Sequence, residues 1–421
     1  MITKKQIVFI ILTSIAAICF KLWFITLSPQ PIIFDQEEYR LYAQRIYQQI
    51  LTGAPSRTYA YPMFVAVNFL LFGLNNLRAI FISQAIIDVI SGIILFYLAL
   101  MLFKSRKIAY LTLFIQWFNP FTASYVGVLL TEVPAAFLIV LSILLFILLT
   151  KQKKLYLCLP LGFTVGLLTQ VRPAFFYWNI LVVFLVPYLL TRGKIINWRY
   201  FGSKAILLLI SGTLLASSYQ IISNLKLYRQ FALTTVDSFF ARELYDGALL
   251  KTTPLFPNKE ESYPPEMRIM YAEYSLLPKN AAERKQMADK YFQKALELIK
   301  KDPLDYVLTR IKKMGSMWQK QNIFFYHEPD FEKHWIYTFV LNNTILAFAA
   351  YGLILGILSK NSLLRHTIVF VLSILFYMTF AISFTHAEPR LTIPAYPLLF
   401  LFASVGIITL FSKIFSCNNL S

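Results

Sequence analysis

The stretch Phe34-Asp35-Gln36-Glu37-Glu38-Tyr39-Arg40-Leu41-Tyr42-Ala43 sets three carboxylates within four positions, directly after an apolar run long enough to lie in a bilayer. Ionisable groups at a membrane edge cost free energy unless water, a partner or a ligand satisfies them. A carboxylate placed there can take a proton from a hydroxyl or an amine, which makes Asp35 the candidate catalytic base. A second acid, Glu132, stands in Leu129-Leu130-Thr131-Glu132-Val133-Pro134. Its apolar neighbours argue against a plainly solvated charge, and complementing a helix N-terminus is the structural alternative. Arg172-Pro173 and His386-Ala387-Glu388-Pro389-Arg390 close two further polar junctions. Arginine at a membrane edge is commonly a headgroup anchor, and it is also the side chain that grips phosphate with a fork of donors. Arg172 and Arg390 are therefore candidate phosphate contacts. His386 is a candidate ligand or acid, although a lone histidine is more often a satisfied interface residue. Glu38, Tyr39, Arg57 and Tyr61 complete the candidate binding set around the first loop. No Walker loop, dinucleotide fingerprint or HExxH motif occurs, so nucleotide chemistry has no visible site.

Hydropathy supplies the elements that must position these groups. The 421 residues are 57% hydrophobic and only 14% charged, a balance that excludes a soluble protein of this size. Long helical hydropathy without short alternating segments also excludes an outer-membrane barrel. Ten spans are expected, at about 7–28, 78–103, 108–124, 133–150, 155–170, 175–191, 203–222, 336–358, 366–384 and 392–412. The third is interrupted by Asn119-Pro120. The run 61–72 is apolar but short and reads as an interfacial helix. Residues 1–222 thus form an N-terminal transmembrane module that includes a first outer loop at 29–60. Residues 223–335 form a helical extracytoplasmic region, with helices at 281–300 and 303–320. Residues 336–421 carry the last three spans. Lys21 lies near the end of span one, where it can snorkel to the interface.

The positive-inside rule tests this count. With the N-terminus in the cytoplasm, the Lys/Arg clusters at 104–107, 151–154, 192–204 and 360–365, and Lys413, all fall inside. The first loop, Glu132, Arg172, the long segment and 386–390 all fall outside. The expected protein is a multi-pass plasma (inner) membrane protein with both termini cytoplasmic and its polar site extracytoplasmic. The net charge of +19 matches this bias and anionic headgroups; no separate basic stripe with stacking aromatics indicates nucleic acid. The 25 Tyr and 38 Phe suit interfaces and a lipid-lined groove as well as core packing. Cys19, Cys158 and Cys417 make no CxxC or metal-type pattern. The apolar run after Lys4 and Lys5 has no small-residue cleavage site and reads as an uncleaved first span.

In this order and spacing the motifs resemble those of integral-membrane glycosyltransferases of the GT-C type, in the family-39-like branch of protein mannosyltransferases and aminoarabinose transferases. The resemblance covers nearly the whole chain. It rests on Asp35 with Tyr39 and Ala43, on Tyr61-Pro62 through Phe72-Gly73, and on Leu130-Thr131-Glu132. It also rests on Gly166 to Arg172-Pro173, on Ala295 to Trp318, and on His386 to Pro394. Many relatives carry Asp-Glu in the first loop where this chain has Asp35-Gln36.

The resemblance implies an all-α membrane protein: a GT-C-like bundle of about ten transmembrane helices with a mostly helical extracytoplasmic region. It implies a polyprenyl-phosphate sugar donor, a lipid, glycan or protein acceptor, and transfer with inversion. Asp35 would be the base and Glu132 an acceptor-orienting group. Arg390 and Arg172 would hold the departing phosphate, and a divalent cation between Asp35 and Glu132 is an option the resemblance leaves open. The alternatives are a polymerase or ligase of lipid-linked polysaccharide, a lipid or sugar transporter, and a non-enzymatic scaffold.

Overall fold

A computed structural model describes residues 4–49, 51–54, 56–192, 202–236, 239–251, 263–276, 280–385 and 387–417. Most of the basic cluster at 192–204, and His386, lie outside the described residues. Seventeen α-helices follow in order: α1 (Lys4–Phe24), α2 (Asp35–Gln48), α3 (Ala60–Phe72), α4 (Leu77–Phe103), α5 (Arg106–Phe118), α6 (Pro120–Ala123), α7 (Glu132–Gln152), α8 (Cys158–Val171), α9 (Phe176–Arg192), α10 (Ser203–Tyr228), α11 (Phe239–Leu249), α12 (Pro265–Ser275), α13 (Ala281–Lys301), α14 (Pro303–Ser316), α15 (Phe331–Ile357), α16 (Ser362–Ser383) and α17 (Tyr396–Cys417). Among the described residues there is no strand.

Among the described residues, eight segments are long and apolar enough to cross a membrane: Gln6–Phe24, Leu77–Phe103, Glu132–Gln152, Pro173–Thr191, Ser203–Tyr228, Phe331–Ile357, Ser362–Ser383 and Pro389–Ser412. Two of the ten expected spans are shorter. The one at 155–170 is the apolar helical segment Leu155–Val171. The one at 108–124 is α5, which stops after 13 residues. The Asn119 side chain accepts from the Phe121 amide and caps α6, and Pro120 has no N–H to continue α5. The chain then passes through a 3-10 turn at Ser124–Gly127. This break delivers Leu129 and Glu132 to the end of the bundle.

The bundle closes through tight helix crossings. A Cβ on Gly352 of α15 would collide with the Phe402 carbonyl of α17, and one on Gly212 of α10 with the Leu159 carbonyl of α8. Such approaches need a residue with no side chain.

Lys21 does not snorkel. It is fully buried, and its Nζ lies 2.6 Å from Asp88 Oδ2 on α4. Gln116 Nε2 of α5 donates to Asp88 Oδ1 at 2.9 Å. The pair follows from the α1–α4 contact, since an unpaired charge inside the bundle would be costly.

Helices α11 to α14 build the region between the apolar segments Ser203–Tyr228 and Phe331–Ile357. Tyr245, Met270, Tyr274, Tyr291 and Ala295 form a small core of their own there. Arg310 of α14 docks this region on the bundle, donating to the carbonyls of Ser383 at 2.8 Å and Gly247 at 2.5 Å.

Candidate active site

Asp35 is the first residue of α2. The residue before it, Phe34, has φ +50° and ψ −125°, a conformation a bulky side chain holds only when its surroundings impose it. Two contacts impose it. Gln36 Oε1 accepts from the Leu129 amide at 2.7 Å, and Gln36 Nε2 donates to the Pro31 carbonyl. Gln36, where many relatives have an acid, is fully buried here and ties the first loop to the segment leading into Glu132. The preceding loop is anchored to the far end of the chain, with Gln30 Oε1 accepting from the Tyr326 amide at 2.8 Å. On α2, Tyr39, Tyr42, Ala43 and Ile46 face inward as their helical spacing predicts, whereas Tyr47 is exposed.

Each oxygen of Asp35 accepts from an arginine. Arg57 Nη2 donates to Oδ1 at 2.5 Å and Arg390 Nη2 to Oδ2 at 2.8 Å. Arg57 also donates from Nε to Glu38 at 2.7 Å and lies 5.1 Å from the centre of the Tyr39 ring. Arg390 donates from Nε to Glu388 and lies 4.7 Å from the centre of the Phe325 ring. Ala387, just before that acid, also has positive φ (+53°), so both chain segments that meet at Asp35 enter through forced turns. Burial alone would raise the Asp35 carboxyl, but the two guanidiniums outweigh it and hold it well below the usual carboxylate range. Asp35 is therefore an ionised, oriented carboxylate that is a weak base while both arginines hold it.

Glu132 opens α7 and is 2% exposed. Arg172 approaches Oε1 only to 3.7 Å, and Oε2 has no hydrogen-bond partner among the described residues. Buried polar atoms are nearly always bonded, so a spare oxygen at the end of a bundle is a binding capacity. Tyr39 lies in the fields of Asp35, Arg57, Glu132 and Arg172 together, so both acid–arginine groups share one site. Tyr61 sits beneath it, edge-on to Tyr39 at 5.0 Å, with its hydroxyl spent on Gln84 Oε1 at 3.1 Å. Gln84 in turn donates to the Val126 and Val128 carbonyls. Tyr61 thus supports Tyr39 rather than facing the opening.

A small cleft opens beside Arg390, lined by Phe121, Tyr125, Lys320, Phe325, Pro389 and Ile393 among others. Lys320, Phe325 and Tyr125 were not foreseen from sequence. Lys320 lies in Gln319-Lys320-Gln321-Asn322, a run that reads as solvated. Glu388 was visible only as part of its motif. Tyr263 feels the charges of Glu388, Arg390 and Asp35, so the segment leading into α12 also borders the site.

The donor set does not suit a divalent cation. Both Asp35 oxygens are held by guanidiniums, which would repel a metal, and Glu132 faces Arg172. Among the described residues no group of three or more His, Cys, Asp or Glu gathers in a way that would hold one.

No protein-family model matches the chain, and no curated protein matches it. Among solved structures it is similar to ArnT from Cupriavidus metallidurans, determined bound to undecaprenyl phosphate. That match has 12% identity and a TM-score of 0.40, and covers 92% of this chain and 78% of the other. Function is therefore read from the site itself.

Proposed function

We propose that the chain is an inverting glycosyltransferase of the GT-C type that moves a sugar from a polyprenyl-phosphate donor to a lipid, glycan or protein acceptor at the extracytoplasmic face. The observation that carries the reading is Asp35 suspended between Arg57 and Arg390, the latter also lining a cleft, at one end of an apolar helix bundle. An acid and two guanidiniums at a bilayer edge suit a phosphate-bearing lipid: the tail stays among the helices and the headgroup meets the arginines.

In this mechanism the donor phosphate competes for the guanidinium forks. As Arg390 and Arg57 turn to phosphate oxygens, Asp35 loses the charges that depress its proton affinity and becomes an effective base. It takes the proton from the acceptor hydroxyl or amine as that atom attacks the anomeric carbon. The bond between anomeric carbon and phosphate oxygen breaks, and its electron pair leaves with the polyprenyl phosphate. Arg390 and Arg172 stabilise the charge that develops there. One displacement inverts the anomeric centre. Glu132 orients the acceptor through its spare oxygen.

A second assignment within the same reaction makes Glu132 the base. It is favoured by that spare oxygen and by the double clamp on Asp35. Transfer of labelled sugar from polyprenyl-phosphate donors, with wild type, Asp35→Asn and Glu132→Gln at equal expression, separates the two. Loss of transfer in Asp35→Asn with a smaller effect in Glu132→Gln keeps Asp35 as base; the reverse pattern moves the role. A wild type inert towards a broad donor panel sinks the transferase reading. A transporter would draw on the buried Lys21–Asp88 pair, but that pair is sealed from solvent and closed by Gln116, which favours a structural pin.

A further inference from the structure

Lys320 is the one cation lining the cleft besides Arg390 among the described residues. It lies in the connection between α14 and α15 and is 3% exposed. Its Nζ donates to Thr392 Oγ1 at 2.7 Å, to the Pro389 carbonyl and, at 3.5 Å, to the Met317 carbonyl. Among the described residues no carboxylate pairs with it. A buried ammonium held only by neutral oxygens leaves most of its charge uncompensated, and lysines are almost never fully buried without a partner. The neighbouring charges show the same deficit. Arg390 is committed to Asp35 and Glu388, whereas Lys320 has only the distant field of Glu132. The cleft wall therefore presents an amine that no acid pairs with, next to the rings of Phe121, Tyr125 and Phe325.

We propose that Lys320 is a phosphate ligand of the cleft: when a lipid-linked phosphate enters, Nζ turns from its carbonyl and Thr392 partners and holds the phosphate oxygens together with Arg390. This rests on the transferase reading above and adds a residue to it. Burial disfavours the ammonium form and pushes the Lys320 amine below its ordinary range; a phosphate anion beside it favours the charged form and offsets that penalty. The groups facing Lys320 are Glu132 from α7, Tyr125 from the turn before it, Arg390 from the start of the last apolar segment, and Tyr396 of α17, whose ring centre lies 5.3 Å from Nζ. Of these, Glu132 is the acid and Arg390 keeps its charge throughout.

The test is calorimetric binding to the full chain in zwitterionic nanodiscs, with farnesyl phosphate, farnesol and inorganic phosphate as probes. Wild type is expected to bind farnesyl phosphate more tightly than farnesol. Lys320→Met is expected to bind farnesyl phosphate about tenfold more weakly or worse, with unchanged weak binding of farnesol. Lys320→Arg, which keeps the charge and so guards against a folding defect, is expected to retain affinity. Undiminished affinity in Lys320→Met overturns the proposal, as does a loss in Lys320→Arg equal to that in Lys320→Met. Inorganic phosphate binding as tightly as farnesyl phosphate keeps Lys320 as a phosphate ligand and rejects the lipid source. Should wild type bind no farnesyl phosphate, the transferase reading and this proposal fall together. Should wild type bind and transfer sugar while the Lys320 variants match it, this proposal alone falls.

Discussion

Arg390 donates to Asp35 at 2.8 Å across 355 positions of sequence. The contact joins the first loop to the start of the last apolar segment, and with Arg57 it determines how strongly Asp35 holds a proton.

Removing one of the two guanidiniums should raise the Asp35 carboxyl, because a neighbouring cation favours its charged form. In Arg390→Gln the acid limb of the kcat/KM profile for sugar transfer is expected to move to higher pH, with weaker donor binding. A profile that keeps its acid limb in place would show that Asp35 is not the group whose ionisation limits the reaction.

Asp35→Asn keeps size and polarity but cannot accept the proton. Positioned general bases contribute roughly 10²–10⁴-fold, so transfer should fall by that order while donor binding survives. Donor affinity measured alongside turnover decides between loss of a base and collapse of the arginine clamp.

The Lys21–Asp88 pair should behave as a buried ion pair in the bundle core. Lys21→Met alone strands Asp88 and is expected to cost about 3–5 kcal/mol, whereas Lys21→Met with Asp88→Leu should recover most of that loss. Melting in detergent of the two single variants and the double variant measures the coupling. A double variant no more stable than the singles rules out the simple pin.

Lys313 of α14 is 3% exposed, and burial, with Arg310 beside it, pushes its amine down to about 7. The unfolded chain binds this proton below its ordinary value of about 10.4. Between those two limits the unfolded state carries more protons, so stability should rise with pH; below about 7 both states are protonated and this dependence ends. Lys313→Met should flatten that slope and melt higher at neutral pH. Identical melting-versus-pH curves for wild type and variant would exclude the effect.

The crossings at Gly352 and Gly212 leave no room for a side chain. Leucine at either position should cost about 1–3 kcal/mol or more by forcing the helices apart. Circular dichroism melts of Gly352→Leu and Gly212→Leu against an exposed-site control test this.

Much of the helical frame was legible from sequence because hydropathy over some twenty residues is a local property that a bilayer reads directly. The helical spacing of Tyr39, Tyr42, Ala43, Ile46 and Tyr47 likewise marked one face of α2, of which the first four turn inward and Tyr47 stays exposed. Helix lengths were less legible. Asn119-Pro120 was visible as an interruption, but only the structure shows that it ends α5 after 13 residues and turns the chain towards Glu132.

By itself the sequence determined that this is an apolar, helical chain, with acids and arginines at the ends of its segments. Tertiary structure alone decided which charges meet. Asp35 could have paired with any of several arginines, and α2 and the last apolar segment had to pack together before Arg57 and Arg390 were chosen. Tertiary structure also buried Lys21 against Asp88 and left Lys320 inside a cleft wall without an acid. A lysine's charge is written in the sequence, but its partner and its burial depend on what other segments bring to within a few ångströms, and Coulomb and desolvation energies act over that distance rather than along the chain.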